Sequence, residues 1–197
     1  QAVLRGCAVD DSGSPKACMG VNVVDLDDNG TLDLHVVNLE TETDSYYRNE
    51  GSYFSDVTTT TGLATHSVLF TRFGTGILDF NNDGWLDLYY ANGRAYKNNP
   101  KRYSDDPFAE PNALFRGLPG PRFEEILPRG GTETLLATTS RGAAFGDVNN
   151  DSHIDLVVVN FAHGPAYQDR TMVLINSGPP NYTFVNSNEG NQAGIHY

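Results

Sequence analysis

Val24-Asp-Leu-Asp-Asp-Asn-Gly-Thr-Leu-Asp-Leu34 decides the reading of this chain, because the same pattern returns twice without a gap. The copies are Leu78-Asp-Phe-Asn-Asn-Asp-Gly-Trp-Leu-Asp-Leu88 and Gly146-Asp-Val-Asn-Asn-Asp-Ser-His-Ile-Asp-Leu156. Each runs into an apolar stretch that closes on asparagine, at 35–38, 89–92 and 157–160. Residues 46–49, 114–117 and 173–176 then read as one further strand, and 54–57, 123–126 and 184–185 as another. Self-similarity on this scale marks a repeat architecture. The expected organisation is an N-terminal segment 1–20, repeat 1 at 21–72, repeat 2 at 73–141 with an insert at 93–111, and repeat 3 at 142–197.

Each unit reads as four short strands separated by turn residues. Ile154-Asp-Leu-Val-Val-Val159 is apolar and β-branched, the pattern of a strand covered on both faces. No useful length shows helical periodicity, and the Thr- and Ser-rich segments 58–61 and 132–140 favour strand or loop over helix. The fold class is therefore all-β, with four-stranded blades of the propeller type. Closed propellers have about four to eight blades, so three repeats predict an incomplete propeller or one completed by assembly.

Counting from Asp25, side-chain oxygens fall at positions 1, 3, 5 and 9: Asp25, Asp27, Asn29 and Asp33. The second loop supplies Asp79, Asn81, Asp83 and Asp87, and the third Asp147, Asn149, Asp151 and Asp155. The backbone carbonyl at position 7 (Thr31, Trp85, His153) completes the expected shell. A hard cation with six to eight oxygen ligands matches this supply, which predicts about three Ca²⁺ sites. Mg²⁺ demands a smaller, water-rich octahedral shell, and no His or Cys side chain sits at a ligand position for a transition metal. Without a counter-ion, three carboxylates in one turn repel one another. The position-12 acid of an EF-hand is missing, since Val36, Tyr90 and Val158 stand there, and position 9 opens a strand instead of a helix. The competing reading of any one loop is an Asx-rich turn held by its own side chains. Position 6 is Gly30 and Gly84 but Ser152 in the third loop; a left-handed residue is expected there, which makes the third site the weakest.

The bulk composition agrees. The chain has 25 acidic and 13 basic residues and a formal charge of −12, which argues against nucleic acid as a partner and suits a protein that collects cations. Nothing approaches the roughly 18 apolar residues of a membrane span, and the first residues show no leader-like pattern. Cys7 and Cys18 flank a short turn-like segment, so a small disulfide loop is expected, with two free thiols as the alternative.

The D-x-[DN]-x-[DN]-G-x-x-D-L loops resemble FG-GAP/VCBS repeats, as do Phe145-Gly146 before the third loop and Tyr47-Arg-Asn-Glu-Gly51 with Phe54-Ser-Asp-Val57 after the first. Phe73-Gly-Thr-Gly76 and Arg141-Gly-Ala-Ala-Phe-Gly146 bring the chain nearest to the ASPIC/UnbV, cartilage acidic protein-like group. The resemblance covers about residues 18–195. It implies a β-propeller with Ca²⁺ between the first two strands of a blade.

Beyond calcium, Arg94, Lys97, Lys101 and Arg102 lie among aromatic residues in the insert, either as a partner-binding loop or, as we expect, a solvated one. Trp85 is expected to plug the space between blades. His35, His66, His153, His163 and His196 show no catalytic spacing, and no nucleophile or phosphate-loop motif is present. The expected function is thus a secreted or cell-surface, calcium-dependent module for adhesion or for binding a protein or glycan. The metal is structural and the chain is not an enzyme. The alternative is a structural subunit that self-associates through blade edges into a ring or filament.

Overall fold

In each repeat the acidic loop carries the chain from a first strand into an antiparallel second one. The pairing that closes the loop is the same each time: Val24 opposite Asp33, Leu78 opposite Asp87, Gly146 opposite Asp155. The computed structural model describes residues 2–10, 12–96, 103–161 and 171–187. Within them the chain is all-β, built from three four-stranded antiparallel sheets of the propeller-blade type.

Blade 1 is β1 (Gly20–Val24), β2 (Asp33–Val37), β3 (Ser45–Asn49) and β4 (Phe54–Asp56), hydrogen-bonded in that order. Blade 2 is β5 (Arg72–Leu78), β6 (Asp87–Asn92), β8 (Ala113–Leu118) and β9 (Arg122–Glu125). Between its strands β7 (Glu110–Pro111) leaves to pair with β10 (Ala137–Thr138) in a two-stranded ribbon. Blade 3 is β11 (Ser140–Gly146), β12 (Asp155–Asn160), β13 (Met172–Asn176) and β14 (Phe184–Asn186).

The first strands lie side by side, with β5 packed between β1 and β11. Glycine allows this approach: a Cβ on Gly20 would fall 2.6 Å from Phe73 O, and one on Gly74 would fall 2.8 Å from Ala143 N. Two cores follow from the alternation of side chains along β6. Leu88 and Tyr90 face blade 1, with Val37, Leu63 and Phe115. Tyr89 and Ala91 face blade 3, with Leu156, Val158, Leu174 and Phe184. All six residues of β6 are therefore buried.

Four expectations are corrected. The stretch ending at Val159 is not covered on both faces: Val159 is 49% exposed, because among the described residues blade 3 packs against another blade on one side only. Thr58–Thr60 forms a 3₁₀ turn, not strand or loop, since Asp56 Oδ1 accepts the Thr58 N–H and the hydroxyls of Thr60 and Thr61 bond back to Val57 O and Thr58 O. Cys7 and Cys18 are free. Cys7 follows a four-residue helix (Ala2–Arg5), while Cys18 sits exposed at φ +53°, its N–H held by the Asn38 side chain. Arg94 is not part of a solvated patch; it is buried against Glu110, Phe108 O and Pro107 O. Lys97, Lys101 and Arg102 lie outside the described residues, as do His163 and His196.

Candidate metal centre

All three loops are wound by the same local hydrogen bonds. The position-1 carboxylates accept the N–H groups of positions 5 and 6: Asp25 from Asn29 and Gly30 (3.0 and 2.7 Å), Asp79 from Asp83 and Gly84 (3.1 and 2.9 Å), Asp147 from Asp151 and Ser152 (3.1 and 2.9 Å). The position-5 oxygen then accepts from position 7, as Asn29 from Thr31, Asp83 from Trp85 and Asp151 from His153. Position 6 is left-handed throughout (Gly30 φ +84°, Gly84 +87°, Ser152 +70°), so the serine does occupy a backbone state that favours glycine. Position 4 is left-handed too, at Asp28, Asn82 and Asn150. That feature was legible and overlooked: all three are Asx residues, which tolerate this region best among residues with a Cβ.

Sequence reasoning also missed what position 9 does. Asp33, Asp87 and Asp155 are fully buried. One oxygen of each accepts the N–H of position 2: Leu26 at 3.1 Å, Phe80 at 2.9 Å, Val148 at 3.0 Å. The other accepts the N–H of the third strand: Asn49 at 2.8 Å, Gly117 at 2.7 Å, Asn176 at 2.8 Å. These carboxylates pin the loop to the strand that packs beyond it. Burial pushes the Asp87 carboxyl up to about 7, against the pull of the Gly117 and Phe80 N–H groups.

The loops differ in how far their oxygens converge. In loop 1, carboxylate oxygens of Asp25, Asp27 and Asp33 lie within 4.8 Å of one another. Asp27 Oδ1 is buried and has no hydrogen-bond partner, and burial, then Asp33, raise its pKa. Three carboxylates, one of them with an orphaned buried oxygen, fit a hard, oxygen-seeking cation. In loops 2 and 3 the position-3 residue is an amide that bonds to position 5: Asn81 Nδ2 to Asp83 at 2.9 Å, Asn149 Nδ2 to Asp151 at 2.8 Å. Among the described residues, only loop 1 brings three acidic groups this close.

Neighbouring loops also meet. Asn82 Nδ2 of loop 2 lies 3.4 Å from Ser152 O and 3.3 Å from His153 Nδ1 of loop 3. Trp85 does not plug the blades; it is 45% exposed and lines an open groove with Asp25–Asp28 of loop 1, Leu86 and Gly120. His35 is buried beside Tyr90, and His66 lies 3.1 Å from Glu125. A family profile described as an FG-GAP-like repeat matches residues 25–90 and again residues 79–158, so each match spans two successive acidic loops. No curated protein matches the chain.

Proposed function

The chain belongs to the FG-GAP-like repeat family, and from that premise we propose an extracellular Ca²⁺-binding β-repeat module of the VCBS, ASPIC/UnbV-like kind. Its metal is structural. Bound Ca²⁺ supplies charge neutralisation and a rigid oxygen shell, without redox or acid–base chemistry. The protein's own groups do the rest. Asp25, Asp27, Asn29, Asp33 and the Thr31 carbonyl hold the first ion. Asp79, Asn81, Asp83, Asp87 and the Trp85 carbonyl hold the second, and Asp147, Asn149, Asp151, Asp155 and the His153 carbonyl the third. Loops fixed in this way present a surface for adhesion or for a protein or glycan partner, with exposed Trp85 between loops 1 and 2. The role is one of binding, not catalysis, at the cell surface or in secreted material.

The observation that carries this reading is the orphaned Asp27 Oδ1 beside Asp25 and Asp33. A buried carboxylate oxygen without a partner costs free energy that a cation removes. The test is calorimetric titration of Ca²⁺ into metal-free protein, with Mg²⁺ as competitor and Asp27→Asn as control. The expected result is Ca²⁺ binding that Mg²⁺ displaces poorly and that Asp27→Asn weakens at one site. No heat of binding, or equal heats in both proteins, contradicts it.

A further inference from the structure

Trp85 and His153 hold the same position in loops 2 and 3, but their surroundings differ. His153 is enclosed. Its Nδ1 lies 3.3 Å from Asn82 Nδ2 of the neighbouring loop, its ring meets Tyr182 edge-on at 5.8 Å, and a Cβ on Gly178 would fall 2.7 Å from its Nε2. The Trp85 indole makes no hydrogen bond, aromatic contact or cation contact among the described residues, and Trp85 is 45% exposed.

The hairpin beside each residue accounts for the difference. In blade 3 the pair Asn176–Phe184 closes a turn of seven residues, 177–183, long enough to bring Tyr182 against His153. In blade 2 the pair Gly117–Phe123 closes a turn of only five, 118–122, where Gly120 has no side chain to cover the indole. The counterpart of Asn82 in loop 1 is Asp28, at the same left-handed position. Its exposed carboxylate has no hydrogen bond or ion pair among the described residues. The closed contact between loops 2 and 3 thus becomes, between loops 1 and 2, a groove of about 260 Å³ with Asp27 and Asp28 on one wall and Trp85 and Gly120 on the other. It opens at the loop end of the blades, away from Asn92, Asn160 and Ser187 at their other end.

Size and charge select the occupant. Pockets for whole small molecules run to roughly 300–1,000 Å³; this groove is smaller and suits a single side chain. Loop 1 contributes three carboxylates at its proposed ligand positions, so a bound Ca²⁺ leaves it negative, and Asp28 adds a charge that the ion does not share. Arg48 is held by Glu50 at 2.6 Å and Arg122 bonds to Pro119 O at 3.4 Å; neither base lines the groove. A neutral sugar on the indole would cover the Asp28 carboxylate without neutralising it, which is costly. A guanidinium is planar and weakly hydrated, stacks on an indole and pairs with a carboxylate at the same time. We propose that the groove between loop 1 and Trp85 holds one arginine side chain of a basic partner segment, stacked on the indole and paired with Asp28. This rests on the reading of the chain as a binding module and names the chemistry of its partner.

The chain holds one tryptophan, so its fluorescence reports on this groove directly. The probe is a short blocked glycine–serine peptide with one central arginine, titrated into the full chain in calcium-containing buffer. Its control carries citrulline, which has the same shape without the charge. The arginine peptide is expected to change the emission saturably and less so at high salt, and the citrulline peptide to leave it unchanged. Asp28→Asn keeps a residue that tolerates the left-handed backbone and is expected to weaken binding about fivefold, the size of one exposed ion pair. Trp85→Ala, followed by calorimetry because the reporter is gone, is expected to lose the heat of peptide binding. An emission that ignores the arginine peptide overturns the proposal, as does equal binding of the citrulline peptide or unchanged affinity in Asp28→Asn. An equal response to a neutral disaccharide such as maltose assigns the groove to glycans and overturns it too. Calorimetric Ca²⁺ titration of the same protein separates this from the metal reading. Ca²⁺ uptake without peptide binding overturns the groove assignment alone, whereas peptide binding without Ca²⁺ uptake supports the groove and contradicts the metal.

Discussion

The Tyr46 hydroxyl donates to Asp33 Oδ2 at 2.7 Å, with both side chains buried. Asp33 Oδ2 also accepts the Leu26 N–H, and Asp33 Oδ1 the Asn49 N–H. The positions equivalent to Tyr46 are Leu114 and Val173, so this extra donor belongs to loop 1 alone. It orients a carboxylate that also faces Asp25 and Asp27.

Tyr46→Phe removes that donor and keeps the ring. A hydrogen bond to a buried charged group contributes about 1.5–3 kcal/mol, so a loss of that order is expected in chelator, read from urea unfolding. Wild-type stability in the variant contradicts the assignment.

Positions 3 and 9 of the loops separate by role. Asp87→Ala strands the buried N–H groups of Phe80 and Gly117 and is expected to destabilise the protein with or without calcium, by about 1–3 kcal/mol for each group left unpaired. Asp27→Asn removes a repelling charge that has an oxygen without a partner, so it is expected to cost stability in calcium and to leave it unchanged or raised in chelator. Paired melts of the two variants check this. Equal losses for Asp27→Asn under both conditions contradict it.

Much of this was legible in the sequence. The repeat alone located all three loops, the order of the strands and the left-handed sixth position, because alternation and turn chemistry act within a few residues of chain. What was not legible depends on neighbours distant in sequence. Nothing near Asp87 announces that Gly117 will donate to it, nothing in the insert shows that Arg94 turns inward to Glu110, and Trp85 was misread because its exposure depends on loop 1 lying across an open groove. The valine-rich stretch up to Val159 suggested burial on both faces, whereas the described residues cover one.

Burial pushes the Glu110 carboxyl up to about 7, although the Thr71 N–H and Arg94 favour its charge. The folded chain therefore holds this proton more tightly than the unfolded one, where the ordinary value is 4.5. The associated stability is fully present below about 4.5 and is lost as pH rises to about 7. Glu110→Gln is expected to flatten this fall, so that its unfolding midpoint gains on the wild type between those limits. Parallel profiles of midpoint against pH contradict the assignment.

The blade contact makes a contrast between two equivalent glycines. Gly74→Ala forces a Cβ to within 2.8–2.9 Å of backbone atoms in β11, and an overpacked contact of this kind costs about 1–3 kcal/mol. Gly142→Ala meets nothing within 4 Å among the described residues and is expected to leave stability unchanged or slightly raised, since Ala in a strand is favoured over Gly by roughly 0.5–1 kcal/mol. Thermal unfolding of the two variants decides between them.

The most direct test of the central claim is the melting temperature of the wild type in saturating Ca²⁺ against excess chelator. An ion at about one hundred times its dissociation constant adds about 2.7 kcal/mol per site. For a chain of this size each filled site raises the melting temperature by roughly 5–10 °C. A rise of at least one such increment that shrinks in Asp27→Asn agrees with the account; identical melting in calcium and in chelator contradicts it.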